Sequence, residues 1–252
     1  MTLKMALIIC PLLFLAGFVD AIGGGGGIIS LPAYLIAGLP PHNAVATNKL
    51  AASAGSVLAN IRYIKAGYVN FRLAIPTVVA AIAGSAAGAK LSLLVDEKVF
   101  MIILLCVLPV VAFLVLNRKI FGAAKEEGLE LNRKTYIVAM LAAFFVGAYD
   151  GFYGPGTGTF IIIAFTVFAK MGLKNANGHS KVINLVTNLT SLAVFIADGQ
   201  VMYLAGLAGA VANIGGNYLG SSLAMKNGSK IIRPVIIAVL VLLAVKIVTD
   251  YI

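Results

Sequence analysis

Tryptophan is absent from these 252 residues, acidic side chains number 9, and charged residues of both signs make up only 11%. With 61% hydrophobic residues and a mean hydropathy of +1.02, a soluble domain of this length has too little polar side chain to cover its surface. The two cysteines, Cys10 and Cys106, each stand alone in an apolar segment, which argues against a disulfide framework or a cysteine metal site. No segments of about ten residues alternate apolar and polar side chains, as the strands of a membrane β-barrel would. The glycines at 23–27 lack a Gly-Lys-Ser/Thr ending and a βαβ context, so they do not read as a nucleotide loop. No ATP-binding motif, no paired nucleophile and base and no Cys/His cluster is visible, so we expect no enzyme, no cofactor and no metal. The N-terminal stretch has no small-residue cleavage site before Asp20 and reads as a membrane segment rather than a removed signal peptide.

What the chain does have is apolar runs of roughly 16 to 24 residues, close to the length that spans the hydrocarbon core of a bilayer. They cover 44–61, 74–94, 99–116, 182–197, 202–225 and 231–251. Helices are the default for such runs, because each satisfies its own backbone hydrogen bonds. The net charge of +10 would suggest nucleic acid in a soluble protein. Here the basic residues gather at the ends of apolar runs, which instead suggests orientation by the positive-inside rule and no nucleic-acid partner.

The two halves resemble each other. Gly17-Phe18-Val19-Asp20 matches Gly147-Ala148-Tyr149-Asp150, and a glycine-rich turn follows each aspartate. Further along, Lys49 matches Lys181, Gly67 matches Gly199, Gly84 matches Gly216 and Gly88 matches Gly220, all at one offset. We therefore expect an all-α integral membrane protein of two inverted-topology repeats, 1–117 and 135–252, joined by a basic cytoplasmic linker at 118–134. Each repeat would be a Gly-broken helical hairpin followed by three transmembrane helices.

The hairpin expectation rests on length. The apolar stretches are broken at 23–27 and 151–159. Counted up to Asp20 and on from Gly27, the first pair of limbs reaches only roughly 18 to 23 Å at helical rise, short of a crossing, and the second is built the same way. The alternative is a single crossing in each half. Charge favours the hairpin. It puts Arg62, Lys65, Arg72, the linker's basic residues, Lys170, Lys174, Lys226, Lys230 and Arg233 on the cytoplasmic side. Only Lys4, Lys90, Lys98 and Lys246 then lie on the far side. Inverted repeats are a recurring design of secondary transporters, with the solute site where the repeats meet.

Few polar residues lie within the apolar segments, and they are patterned. Lys49, Ser53, Ser56 and Asn60 share one helix face, and so do Lys181, Asn184, Asn188 and Ser191. Such faces suit a wet cavity better than lipid. Alternatively the lysines snorkel to an interface while Ser and Asn join helices. On the functional reading Lys49 and Lys181 offer charge to an anion, with Asn48, Ser53, Ser180, Asn184 and Asn188 adding hydrogen bonds. Gly24, Gly25 and Gly26, with Gly154, Gly156 and Thr157, would present backbone amides at broken helix ends, which also favour anions; tight packing at a hairpin tip is the other reading. Asp20 and Asp150 could cap the following helix or pair with Lys49 and Lys181, and proton coupling is the alternative. His179 is a further titratable group, although its counterpart is Thr47. Gly84, Gly88, Gly209, Gly216 and Gly220 read as close helix packing.

These motifs carry a family resemblance. Gly17 through Asp20 to Gly27, then Leu31-Pro32, the run 38–42 and Thr47-Asn48-Lys49 closely resemble the sulfite exporter TauE/SafE family. In the second half, Asp150 to Gly158, Ser180-Lys181-Val182-Ile183-Asn184 and Thr187-Asn188-Leu189 are similar to its second signature. The resemblance spans nearly the whole chain. It implies a bacterial-type multi-pass permease of the cell (inner) membrane for sulfite, sulfonates or related small sulfur-containing anions. Alternating access would carry the anion, and an inside-negative potential would favour its exit by about 2.3 kcal/mol per charge per 100 mV. A passive anion channel and a membrane enzyme acting on a sulfur compound are the other readings.

Overall fold

The computed structural model describes residues 2–95 and 128–228, with 230–232, 234, 235 and 238 beyond. The apolar run 99–116, the first part of the linker and most of the run 231–251 lie outside the described residues. Within them the chain is helical, with no strand. The order is α1 (Leu3–Gly23), α2 (Gly27–Ile36), α3 (Pro41–Lys65), α4 (Phe71–Leu94), α5 (Arg133–Phe152), α6 (Thr157–Val167), α7 (Leu173–Ala197) and α8 (Tyr203–Asn227). The second four elements repeat the first four in kind and order, and α3 and α7 have equal length.

Local chemistry sets the boundaries. Thr2, Asn70 and Asn132 each accept a backbone N–H in the first turn of α1, α4 and α5, satisfying donors that a helix start leaves unpaired. The break falls in the glycine run, and α1 passes Asp20, the point to which the limb is counted from sequence. The helix runs on to Gly23, because the Gly24 amide still donates to the Asp20 carbonyl (2.9 Å). Gly24 and Gly25 then turn the chain with φ of +77° and +86°, a region glycine enters without steric cost. At 21 and 20 residues, α1 and α5 are therefore about 30 Å long, longer than the limbs expected from sequence. Their partners α2 and α6, with 10 and 11 residues, are too short to cross.

Among the described residues, four helices, α1, α4, α5 and α7, are long and apolar enough to span a bilayer. The 25-residue helices α3 and α8 have the length, with their apolar character diluted by buried Lys49, Asn60, Asn213 and Asn217. Outward positions such as Ile75, Val79, Phe145, Leu204 and Val211 are exposed and apolar, as a lipid-facing surface requires. The chain is thus a multi-pass, all-α membrane protein.

The halves interlock. The main partner of α1 is α8, and that of α4 is α5, so each half packs its outer helix on the other half. Both seams are built on small residues. A Cβ on Gly84 or Gly88 would stand 2.1 or 1.9 Å from the Phe144 or Ala148 carbonyl oxygen. At the equivalent seam, a Cβ on Gly216 or Gly220 would stand 2.0 or 2.3 Å from the Phe14 or Phe18 oxygen. Backbones in such contact leave no room for a methyl group, which is the close-packing role read for these glycines. Gly209 belongs to the same set, its Cβ position lying 2.3 Å from the Tyr34 hydroxyl.

Candidate functional site

Each short helix folds back along its longer neighbour, as Gly26 against Ala16 and Asp20 illustrates for α2 on α1. This sends both glycine turns to the middle of the molecule, where they touch. A Cβ on Gly24 would lie 2.4 Å from the Thr159 amide nitrogen, and the Gly158 Cβ position lies 2.8 Å from the Gly24 Cα. The Thr159 hydroxyl donates to the Gly23 carbonyl (2.8 Å), tying one turn to the other. Gly154 and Gly156 have φ of +103° and +86°, so the second turn depends on glycine as the first does.

The polar faces of α3 and α7 flank this junction, and their lysines cross between halves. Lys49 Nζ is 2.9 Å from the Asp150 carboxylate and donates to the Asp150 carbonyl at 2.5 Å. Lys181 Nζ is 3.7 Å from the Asp20 carboxylate and donates to the Asp20 carbonyl. Both ammonium groups are buried, so neither lysine snorkels to an interface. Each carboxylate gathers further donors. Asp20 accepts from the Gly26 amide and the Asn184 side chain, both at 3.4 Å. Asp150 accepts from the Thr157 hydroxyl at 2.8 Å. Charge on each lysine is thereby balanced inside the protein, which offsets the desolvation of both partners.

A cavity of ≈ 30 Å³ opens beside these pairs, room for about two waters. Asn48, Lys49, Asn184, Asn188, Gly25, Gly26, Gly154, Gly156 and Thr157 line it together with Asp20 and Asp150. Other residues singled out from sequence stand back from it. Gly24 is spent on the turn-to-turn contact. Lys181 is not among the lining residues and is bound to Asp20. The Ser53 hydroxyl donates to the Lys49 carbonyl, and that of Ser180 to the Asn177 carbonyl. Asn188, although it lines the cavity, also turns its amide to Asn184 within α7. His179 is not among the lining residues either. Its Nε2 accepts from the Asn70 amide at 3.1 Å, and its counterpart Thr47 accepts from the Met202 amide at 3.0 Å. The two residues do the same structural work at the same point of each half.

Sequence reasoning missed Gly27, Ser30, Ala52, Gly158 and Asn213, which also line the cavity. Asn213 sits four residues before Asn217 on α8, a helical polar pair visible in the sequence. Its counterpart in the first half is Ala81, so duplication could not flag it.

A family model described as "Sulfite exporter TauE/SafE" matches residues 9–247. This chain belongs to the TauE/SafE sulfite exporter family. A probable membrane transporter protein, ORF9, of a Sinorhizobium species is 35% identical over 241 residues, covering 94% of this chain and 90% of the relative. One from Haemophilus influenzae is 33% identical over 239 residues, covering 94% and 92%. The probable membrane transporter protein YfcA of Escherichia coli K12 is 35% identical over 237 residues, covering 94% and 87%. No solved structure gives a significant match. Family and relatives agree on membrane transport, and this TauE/SafE chain is a membrane transport protein.

Proposed function

We propose that the chain is a secondary transporter of a small sulfur-containing anion, sulfite or a sulfonate, working by alternating access between two inverted halves in the cell (inner) membrane. The linker 118–134 would be cytoplasmic. One observation carries the reading. The Asp20 and Asp150 carboxylates are anions already held inside the protein, Asp20 on a lysine, a turn amide and an asparagine, Asp150 on a lysine and a turn hydroxyl. The same donors suit a substrate oxyanion. Room for about two waters is tight for such an ion, and parting of the glycine turns or the ion pairs would widen it. Interlocked halves give those pairs leverage, because each one joins an element of one half to an element of the other. Export down the solute's own gradient needs no nucleotide.

Purified protein in liposomes tests this with labelled sulfite, sulfate, thiosulfate and methanesulfonate. We expect saturable flux of at least one sulfur anion. The charge-neutral variants Lys49→Ala/Asp150→Asn and Lys181→Ala/Asp20→Asn should lose that flux while remaining monodisperse. Undiminished flux in both variants would refute the site. Unitary currents in place of saturable flux would make the protein a channel.

A further inference from the structure

The two ion pairs make the site electrically neutral before any substrate arrives. An anion entering the cavity adds a charge that nothing near it offsets, in a buried environment where unbalanced charge is costly. One exchange keeps the balance. If a carboxylate takes up a proton, its lysine is released to the incoming anion, and the site stays neutral. The proton joins a carboxylate oxygen, the Lys–carboxylate ion pair is replaced by a Lys–substrate pair, and no electrons move.

Resting on the transport reading above, we propose that each negative charge of the substrate travels with one proton, held by Asp20 for the first charge and Asp150 for the second. Asp20 comes first because its pair is looser and more open. Its side chain is 15% exposed and 3.7 Å from Lys181, against 3% and 2.9 Å for Asp150 and Lys49. Asp20 also lines the cavity, whereas Lys181 does not and reaches it through its pair with Asp20, so protonation of Asp20 frees the lysine's charge for the substrate. Tyr63 of α3, whose hydroxyl donates to the Ala21 carbonyl, is a further titratable group near Asp20, and Tyr149 of α5, which donates to the Pro155 carbonyl, stands next to Asp150. The Lys49–Asp150 pair itself shares the cavity with Asp20. From α2 and α8 the cavity receives, among the described residues, only the neutral Gly27, Ser30 and Asn213. The membrane potential then drops out as a driving force, and direction follows the anion and pH gradients.

Methanesulfonate and thiosulfate are fully ionised near neutral pH, so neither carries a proton of its own. Proteoliposomes with an internal pH dye and a potassium–valinomycin clamp count protons per labelled anion. The expected counts are one for methanesulfonate and two for thiosulfate. Accumulation of either should be unchanged between 0 and −100 mV, whereas an uncoupled monoanion would shift about 50-fold. Asp20→Asn keeps the shape but accepts no proton, and should lower the methanesulfonate count from one to zero. Anion flux without protons, or following the potential, overturns the coupling and leaves the transport reading standing. A count of one retained in Asp20→Asn overturns the assignment to Asp20. Absence of flux for every sulfur anion refutes the transport reading and the coupling with it. If the variant is inert, the wild-type count still decides.

Discussion

Gly24→Ala tests whether contact between the two glycine turns holds the centre of the molecule together. The substitution does two things. It places a Cβ on a residue with φ of +77°, which costs an L-residue about 1–2 kcal/mol. It also drives that carbon to 2.4 Å from the Thr159 nitrogen and 2.5 Å from the Gly158 carbonyl carbon. Ordinary contact begins at 3.4 Å, so the turns must separate by about 1 Å, and neither neighbouring atom belongs to a side chain that could swing away. Overpacking of this kind costs about 1–3 kcal/mol more. A separation of that size also stretches the 2.8 Å bond from Thr159 to the Gly23 carbonyl past hydrogen-bonding range. Gly67→Ala is the matched control. Gly67 has φ of +79° with nothing within 4 Å of its Cβ position, so it carries the backbone cost alone. Thermal stability of both variants in detergent, read by size-exclusion recovery after heating, isolates the contact. Gly24→Ala should be the less stable by about 1–3 kcal/mol and should lose flux, while Gly67→Ala keeps flux near wild type. Equal stability and flux in the two variants would refute the reasoning.

Two further outcomes follow from the buried pairs and the seams. Lys49→Ala alone strands the Asp150 carboxylate in a buried site and should cost about 3–5 kcal/mol, most of which Lys49→Ala/Asp150→Asn should recover; the recovery of monodisperse protein after heating measures both. Gly88→Ala and Gly220→Ala stand at equivalent seams against the Ala148 and Phe18 carbonyls. Each should destabilise by about 1–3 kcal/mol, and a gain in melting temperature from either would contradict the close packing described.

Much of the architecture is legible in the chain because a bilayer constrains it so strongly. Long apolar runs must be helices, since lipid offers no hydrogen bonds to an open backbone. The polar faces of α3 and α7 follow from helical spacing, and the glycine seams from their four-residue repeats. The glycine run marks the end of α1, but its length was less legible. A count to Asp20 makes the limb too short, because the backbone ladder continues as long as each amide finds its carbonyl, and the Gly24 amide finds that of Asp20.

Other features could not be read from residue order at all. Nothing in the sequence says which lysine each aspartate meets, because charge attraction has no address along a chain. Packing supplied it. With α1 seated on α8 and α4 on α5, Asp20 comes to Lys181 and Asp150 to Lys49, each across the boundary between halves. The contact of the two turns and the arrival of Asn213 at the cavity have the same origin. Sequence determined the helices, their polar faces and the duplication, which depend on neighbours one or two turns away. The tertiary structure alone decided the pairing of charges and the shape of the cavity, which depend on atoms more than a hundred residues apart brought together by helix packing.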